Sequence, residues 1–245
     1  MLQTPTDLVR GIAEIRKAFD TRSFLDTYTA DYETRRTRKK EDERKAKQEK
    51  QRASRESEAT LEERSKFLKV LRKYRAFKDY HLVKRKRDEV VNALRDSLGY
   101  PDFSDIDIDG FFSIWELGHI ISLPKPTIKR QLRKFSRLMT ILCDDRIDIA
   151  TRYDKALQGR LKIRGVSEGL ISKVLTVHDP QNYFVKNAKS DIALKKYGIQ
   201  MPRGLSRGEK YKITSKFLKH ICKEAKIHNL AILDYYLYLE GRDNE

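Results

Sequence analysis

Leu161-Lys162-Ile163-Arg164-Gly165-Val166-Ser167-Glu168-Gly169-Leu170-Ile171-Ser172-Lys173-Val174-Leu175 decides how the rest of the chain is read. A glycine-bearing turn at 164–167 is followed by an apolar run through Ile171, Val174 and Leu175 with helical spacing. Glycine lets a main chain approach an anion closely, and the amides opening the next helix point at it. Ser167 stands where a helix cap belongs. Taken alone, such a turn is also an ordinary connection in a helical bundle.

The flanking sequence is helical in both directions. Downstream, a His178-Asp179-Pro180 turn precedes a predicted helix over Ala188–Tyr197 that stops at Gly198. A Gly/Pro loop over 201–208 leads to predicted helices over Tyr211–Lys226 and Asn229–Leu239. Upstream, Asp144–Asp145 can start a helix carrying Ile149, Tyr153 and Leu157. Pro126 suits the first turn of one that buries Ile128, Leu132, Phe135, Leu138, Met139 and Leu142. A further helix is expected through Phe112, Trp115, Leu117 and Ile121. An apolar period runs from Phe67 through Phe77 and on to Leu98, where Gly99 and Pro101 supply a stop. Residues 7–28 show an amphipathic pattern with Leu8, Ile12, Ile15 and Phe19. No strand-like alternation appears, so the expectation is an all-α protein.

The quoted stretch resembles the helix-hairpin-helix element of the endonuclease III-like DNA glycosylases, whose pattern is a hydrophobic-Pro-Gly-Val-Gly turn between two helices. The resemblance continues through Asn182-Tyr183-Phe184-Val185-Lys186-Asn187 to Lys195-Lys196-Tyr197-Gly198-Ile199. Helices before and after extend it over roughly 62–242. It implies a helix-hairpin-helix glycosylase-like, two-lobed helical domain. It further implies a double-stranded DNA partner and a monofunctional hydrolase that flips a modified or damaged base and excises it, leaving an abasic site. Similar domains in restriction-related proteins suggest defence against foreign (phage) DNA, an analogy of fold. Gly165, Val166 and Ser167 would grip a phosphate, with Arg164, Lys173 and Lys186 as neighbouring cations.

The chain departs from the family pattern at three positions. Ser167 replaces the second glycine of the turn. Gly169 stands where bifunctional members carry the lysine that attacks the sugar, so strand cleavage through a Schiff base is not expected. Asn187 takes the place of the catalytic Asp; an amide can hold water but supplies neither negative charge nor a base. Asp179 is a candidate to substitute, as is Asp191, one helical turn beyond Asn187. Asn187 therefore has three readings: a water-positioning residue, the mark of a binding-only relative, or the cap of the helix starting at Ala188. The alternative to excision is a non-catalytic DNA-binding or scaffold subunit.

Charge points the same way. The 245 residues carry 53 Lys and Arg against 36 Asp and Glu, a net +17. Of this, 22 basic and 9 acidic residues fall in Arg35–Arg87, leaving 31 and 27 for the rest. Between Arg35 and Lys66 the only apolar side chains are Ala46, Ala53, Ala59 and Leu61, too few to offset ordering entropy. The segment lacks Gly and Pro and reads as a basic helical or disordered arm, without the apolar a and d positions of a coiled coil. Such one-signed charge suits a polyanion, with Arg35, Arg36, Lys39 and Lys40 as contacts. The expected organisation is an amphipathic helix in 1–34, the arm in 35–66 and the glycosylase-like domain in 67–245.

Other chemistries are excluded or outweighed. No apolar run reaches the ~18 residues of a membrane span, and no signal-peptide pattern opens the chain, which points to a cytoplasmic or nucleoid location. Two cysteines, Cys143 and Cys222, exclude a disulfide framework and four-cysteine metal sites. The five histidines show no metal spacing and no P-loop occurs, so neither a metal, a nucleotide nor any other cofactor is expected. Asp105–Glu116 does match the EF-hand calcium pattern. Gly99 and Pro101, however, break the entering helix, and the competing reading is an acidic loop whose Asp109 caps the next helix. Cys222 and the tyrosines Tyr235, Tyr236 and Tyr238 are expected in the core.

Overall fold

The computed structural model describes residues 5–18, 41, 62–118, 124–199 and 204–242. Among them every regular element is an α-helix. In chain order these are α1 (Pro5–Ala18), α2 (62–76), α3 (Tyr80–Ser97), α4 (Ile108–Ser113), α5 (Lys125–Arg130) and α6 (Leu132–Leu142). α7 (Ile149–Gln158), α8 (Glu168–His178), α9 (Ala188–Lys196), α10 (Arg207–Ala225) and α11 (Leu230–Arg242) follow. The chain is all-α, as its periodicity requires. Its contacts divide it into residues 1–59 and 60–245. In the first unit α1 leaves Val9 and Ile12 exposed. The arm contacts Arg35, Arg36, Lys39 and Lys40 lie outside the described residues.

In the second unit α8 is the central element. All of Leu170–Val177 is buried, because the helix is apolar almost all round and other helices cover it on several sides. Phe67, Leu94, Phe111, Phe135, Leu138, Leu218, Leu233 and Leu237 pack into the same core. Two helix pairs approach closely through glycine. α10 meets α7 where Gly208 lies against the Ala150 carbonyl, and α11 meets α9 where Gly241 lies against that of Lys189.

Local rules place most helix ends. Ser206 and Glu209 form a capping box at α10, and Gly198, at φ +69°, follows α9. Three expectations need correction. The period from Phe67 to Leu98 is interrupted at 77–79, where Tyr80 turns so that its hydroxyl accepts from the His228 amide and its ring lies under Arg75, leaving Phe77 exposed. α2 itself runs unbroken across 66–67. α4 ends at Ser113 instead of continuing to Ile121: the carbonyls of Ile114 and Glu116 accept from the buried side chains of Lys173 and Arg87, and Trp115 faces solvent. Finally, Asp148, not Asp144 or Asp145, caps α7, its carboxylate accepting from the Ala150 amide at 3.1 Å. Asp144 pairs with Arg146, and Asp145 with Arg152 and His178.

Candidate nucleic-acid interface

α7 ends at Gly159, and the chain reaches the hairpin turn through Arg160–Ile163. The Val166 amide donates to the Ile163 carbonyl at 3.1 Å, closing a four-residue turn with Gly165 in its third position at φ +89°. That φ favours glycine, and a Cβ there would also stand 2.9 Å from Pro124 Cβ. Ile163 and Val166 are buried and pin the turn, while Arg164, Gly165 and Ser167 are exposed. Ser167 occupies the cap position of α8 in extended backbone, but its hydroxyl makes no capping hydrogen bond. The turn and the start of α8 therefore present main chain to solvent where a phosphate could meet it.

Gly169 lies where the 183–187 segment runs alongside the first turn of α8, and a Cβ there would meet the Lys186 carbonyl at 3.4 Å, an ordinary contact. Ser172, fully buried, completes that junction by accepting from the Lys186 amide at 2.8 Å. The hairpin and Asn187 are thereby neighbours. Asn187 is half-buried and forms a capping box: its Oδ1 accepts from the Ser190 amide at 2.8 Å, and its own amide donates to Ser190 Oγ at 2.9 Å. Of the three readings of Asn187, capping is the one seen directly, and it leaves the side-chain nitrogen and the second lone pair of Oδ1 for a water or a ligand.

Two expected site residues are displaced by the fold. Asp179 follows the opposite end of α8, which at ~1.5 Å per residue puts it on the order of 16 Å from Ser167. Its carboxylate accepts from the Gln181 amide and the Asn182 side chain, so it closes a local turn and cannot substitute beside Asn187. Lys173 is 2% exposed and donates its amine to the Ile114 carbonyl. It faces Phe111 and Asp234 inside the core and is no phosphate ligand.

Lys186 is half-buried between two carboxylates, Glu168 at 3.3 Å and Asp191 at 3.2 Å. Burial works against its charge, but Asp191 and Glu168 outweigh that and hold the amine above its ordinary range. Arg207 adds a second cation to Glu168 at 3.6 Å. This cluster beside Asn187 is what sequence reasoning underweighted. The i, i+4 relation of Asn187 and Asp191 was visible, but only packing of α8 against 183–187 brings Glu168 to the same amine.

The acidic loop also resolves. Asp107, rather than Asp109, caps α4 by accepting from the amides of Asp109 and Gly110 at 3.0 Å. Asp109 pairs with Lys125 and Lys129 instead. Ile106 and Ile108 are buried, which turns the loop into the core at positions a calcium loop exposes. Among the described residues no group of three or more His, Cys, Asp or Glu is placed to hold a metal. Cys222 lies in the core with its thiol pushed up to about 12 by burial. Tyr236 is core, whereas Tyr238 is exposed, contrary to expectation. No described helix is long and apolar enough to cross a membrane.

Compared with known proteins, the chain matches no family model, no curated protein and no solved structure.

Proposed function

We propose that the chain binds double-stranded DNA, with the exposed Gly165 turn and the opening of α8 gripping a backbone phosphate and Arg164 beside them. The observation that carries this reading is the turn itself, solvent-facing at both Gly165 and Ser167, with the Ser167 hydroxyl not used as a cap. The basic arm adds non-specific affinity. The test is fluorescence anisotropy of a labelled duplex across a salt series. The full chain should bind with a steep salt dependence, and deletion of 35–61 should weaken binding to all sequences alike and flatten the slope. Arg164→Gln should lower the slope by about one. A full chain that binds no duplex at moderate salt, or binds without salt dependence, removes the reading.

A second reading, hydrolytic excision of a flipped modified base within a glycosylase-like two-lobed domain, is favoured by the Glu168–Lys186–Asp191 cluster next to Asn187. A half-exposed Asp191 carboxylate offers the negative charge that Asn187 lacks, to stabilise an oxocarbenium-like sugar. Water would add to the sugar carbon as the glycosidic bond breaks, and the bonding pair would leave on the base, which takes up the proton that the water loses. Purified chain incubated with duplexes carrying different base modifications should then generate abasic sites. Asp191→Asn should suppress release at least about tenfold while binding persists. Asn187→Asp, which keeps the cap and restores a carboxylate, should raise it. Binding without release from any modified duplex leaves the chain a DNA-binding or scaffold subunit.

A further inference from the structure

Residues 124–142 and 158–167 carry nine Lys and Arg and no Asp or Glu: Lys125, Lys129, Arg130, Arg133, Lys134, Arg137, Arg160, Lys162 and Arg164. The fold brings the two stretches together. Lys134 Nζ donates to the Lys162 carbonyl at 2.9 Å, and Pro124, which begins the α5 stretch, abuts Gly165 in the hairpin turn. α6 is sharply two-faced. Phe135, Leu138, Met139 and Leu142 are buried, whereas Arg133 and Arg137, four residues apart on one side, are exposed.

The neighbouring acidic groups are already committed. Asp109 takes Lys125 and Lys129 at one edge, and Glu168 takes Lys186 and Arg207 at the other. No ion pair with a carboxylate is formed, among the described residues, by Arg130, Arg133, Arg137, Arg160, Lys162 or Arg164. A face of like charges without counter-ions costs self-repulsion, which a polyanion relieves. Its apolar content is also informative. Trp115, Phe77 and Tyr238 are the large exposed aromatics of this unit, and none belongs to α5, α6 or 158–167, where Leu132 is the one large exposed hydrophobic. Single-strand binders interleave cations with aromatic stacking platforms, whereas this face has cations alone. It is suited to phosphates in a duplex, whose bases are not offered for stacking.

We infer that the exposed face of α5 and α6, continuous through Arg160–Arg164 with the hairpin turn, is a docking surface for the phosphate backbone of duplex DNA. It rests on the DNA-binding reading above and extends the contact from a single gripped phosphate to a tract of them. The hairpin then sets register, and the α5–α6 face supplies the larger share of the counter-ion release.

The experiment uses the full chain with Arg130, Arg133 and Arg137 replaced together by Gln, and a second variant with Arg133→Gln alone. Each is titrated against a labelled DNA duplex at several salt concentrations, with circular dichroism and melting as fold controls. The triple variant should lower the salt slope by about two to three and the single variant by about one. Arg164→Gln is run beside them to report on the hairpin alone. If the parent chain binds and Arg164→Gln weakens it while the α5–α6 variants keep the parent's slope, this docking surface is overturned and the hairpin reading stands. A parent chain that binds no DNA duplex overturns both. Tighter, equally Arg-dependent binding to duplex RNA of the same sequence overturns the assignment of DNA as occupant.

Discussion

Between about pH 3 and pH 7 the protein is expected to lose about 3 kcal/mol of unfolding free energy relative to its Asp234→Asn variant. Asp234 is 3% exposed on α11, 3.5 Å from the Arg87 guanidinium of α3. Lys173 of α8 faces it, and the Gly118 amide donates to it. Burial pushes its carboxyl up to about 6, and the attraction of Arg87, the Gly118 hydrogen bond and Lys173 offset that only in part. A carboxyl whose folded value is raised holds its proton more tightly in the native state. Its contribution to stability is therefore full below the unfolded value near ~4 and is lost as pH rises through about 6. Asn does not titrate, so the difference between the two proteins isolates this group. Urea denaturation of both proteins at several pH values measures it. The opposite trend, with the parent gaining on the variant as pH rises, would mean that the two cations outweigh desolvation.

Lys173 sets a second limb in the same cluster. Burial drives its amine down to about 8, with Asp234 and Glu116 opposing. A depressed lysine contributes stability present above its unfolded value and lost as pH falls through about 8. The cluster is thus least favourable between about 6 and 8, where all three groups carry charge inside the core. The structural return is visible at 114–118, where Lys173 and Arg87 hold the carbonyls of Ile114 and Glu116 and keep that segment from continuing α4.

Gly208→Ala is expected to lower the melting temperature by about 4–8 °C, a net loss of about 2 kcal/mol. A methyl group at Gly208 would overlap the carbonyl of Ala150, a main-chain atom in α7 that cannot rotate aside. The overpacking cost is about 3 kcal/mol, and the better helix propensity of alanine returns at most about 1. Separating α10 from α7 would also break the Gly208 amide's hydrogen bond to Asp154, 2.8 Å long. Gly169→Ala is the matched control: it too is a helical glycine, but a methyl there meets the Lys186 carbonyl at 3.4 Å, an ordinary contact. Thermal melts should show Gly208→Ala destabilised and Gly169→Ala unchanged or slightly stabilised. Equal stabilisation of both would show that propensity alone governs and that the α7–α10 approach is not tight.

Particular residues show where sequence reasoning stops. Gly165 was legible as a turn glycine, and the structure gives it a positive φ in solvent. Asn187 was legible as a cap because Asn before an apolar-periodic run has few better local uses, and its capping box with Ser190 follows. Asp179 and Lys173 were misplaced for a shared reason. Both lie close to the hairpin in sequence, but α8 carries Asp179 to its far end, and its packing on all sides leaves Lys173 no solvent face. Asp109 lost the capping role to Asp107 because lysines of α5, distant in the chain, draw its carboxylate away.

By itself the sequence determined the helical class, the turn at Gly165, most helix starts and stops and the concentration of positive charge. Each follows from forces that act within one or two helical turns, namely backbone sterics, capping and apolar period. Tertiary structure alone decided which charges are buried together at Arg87, Lys173 and Asp234. It also decided which cations gather without a counter-ion on α5, α6 and 160–164, and which carboxylates meet Lys186. Solvation and Coulomb energy depend on the distance between groups in space, and that distance exists only once the helices have packed.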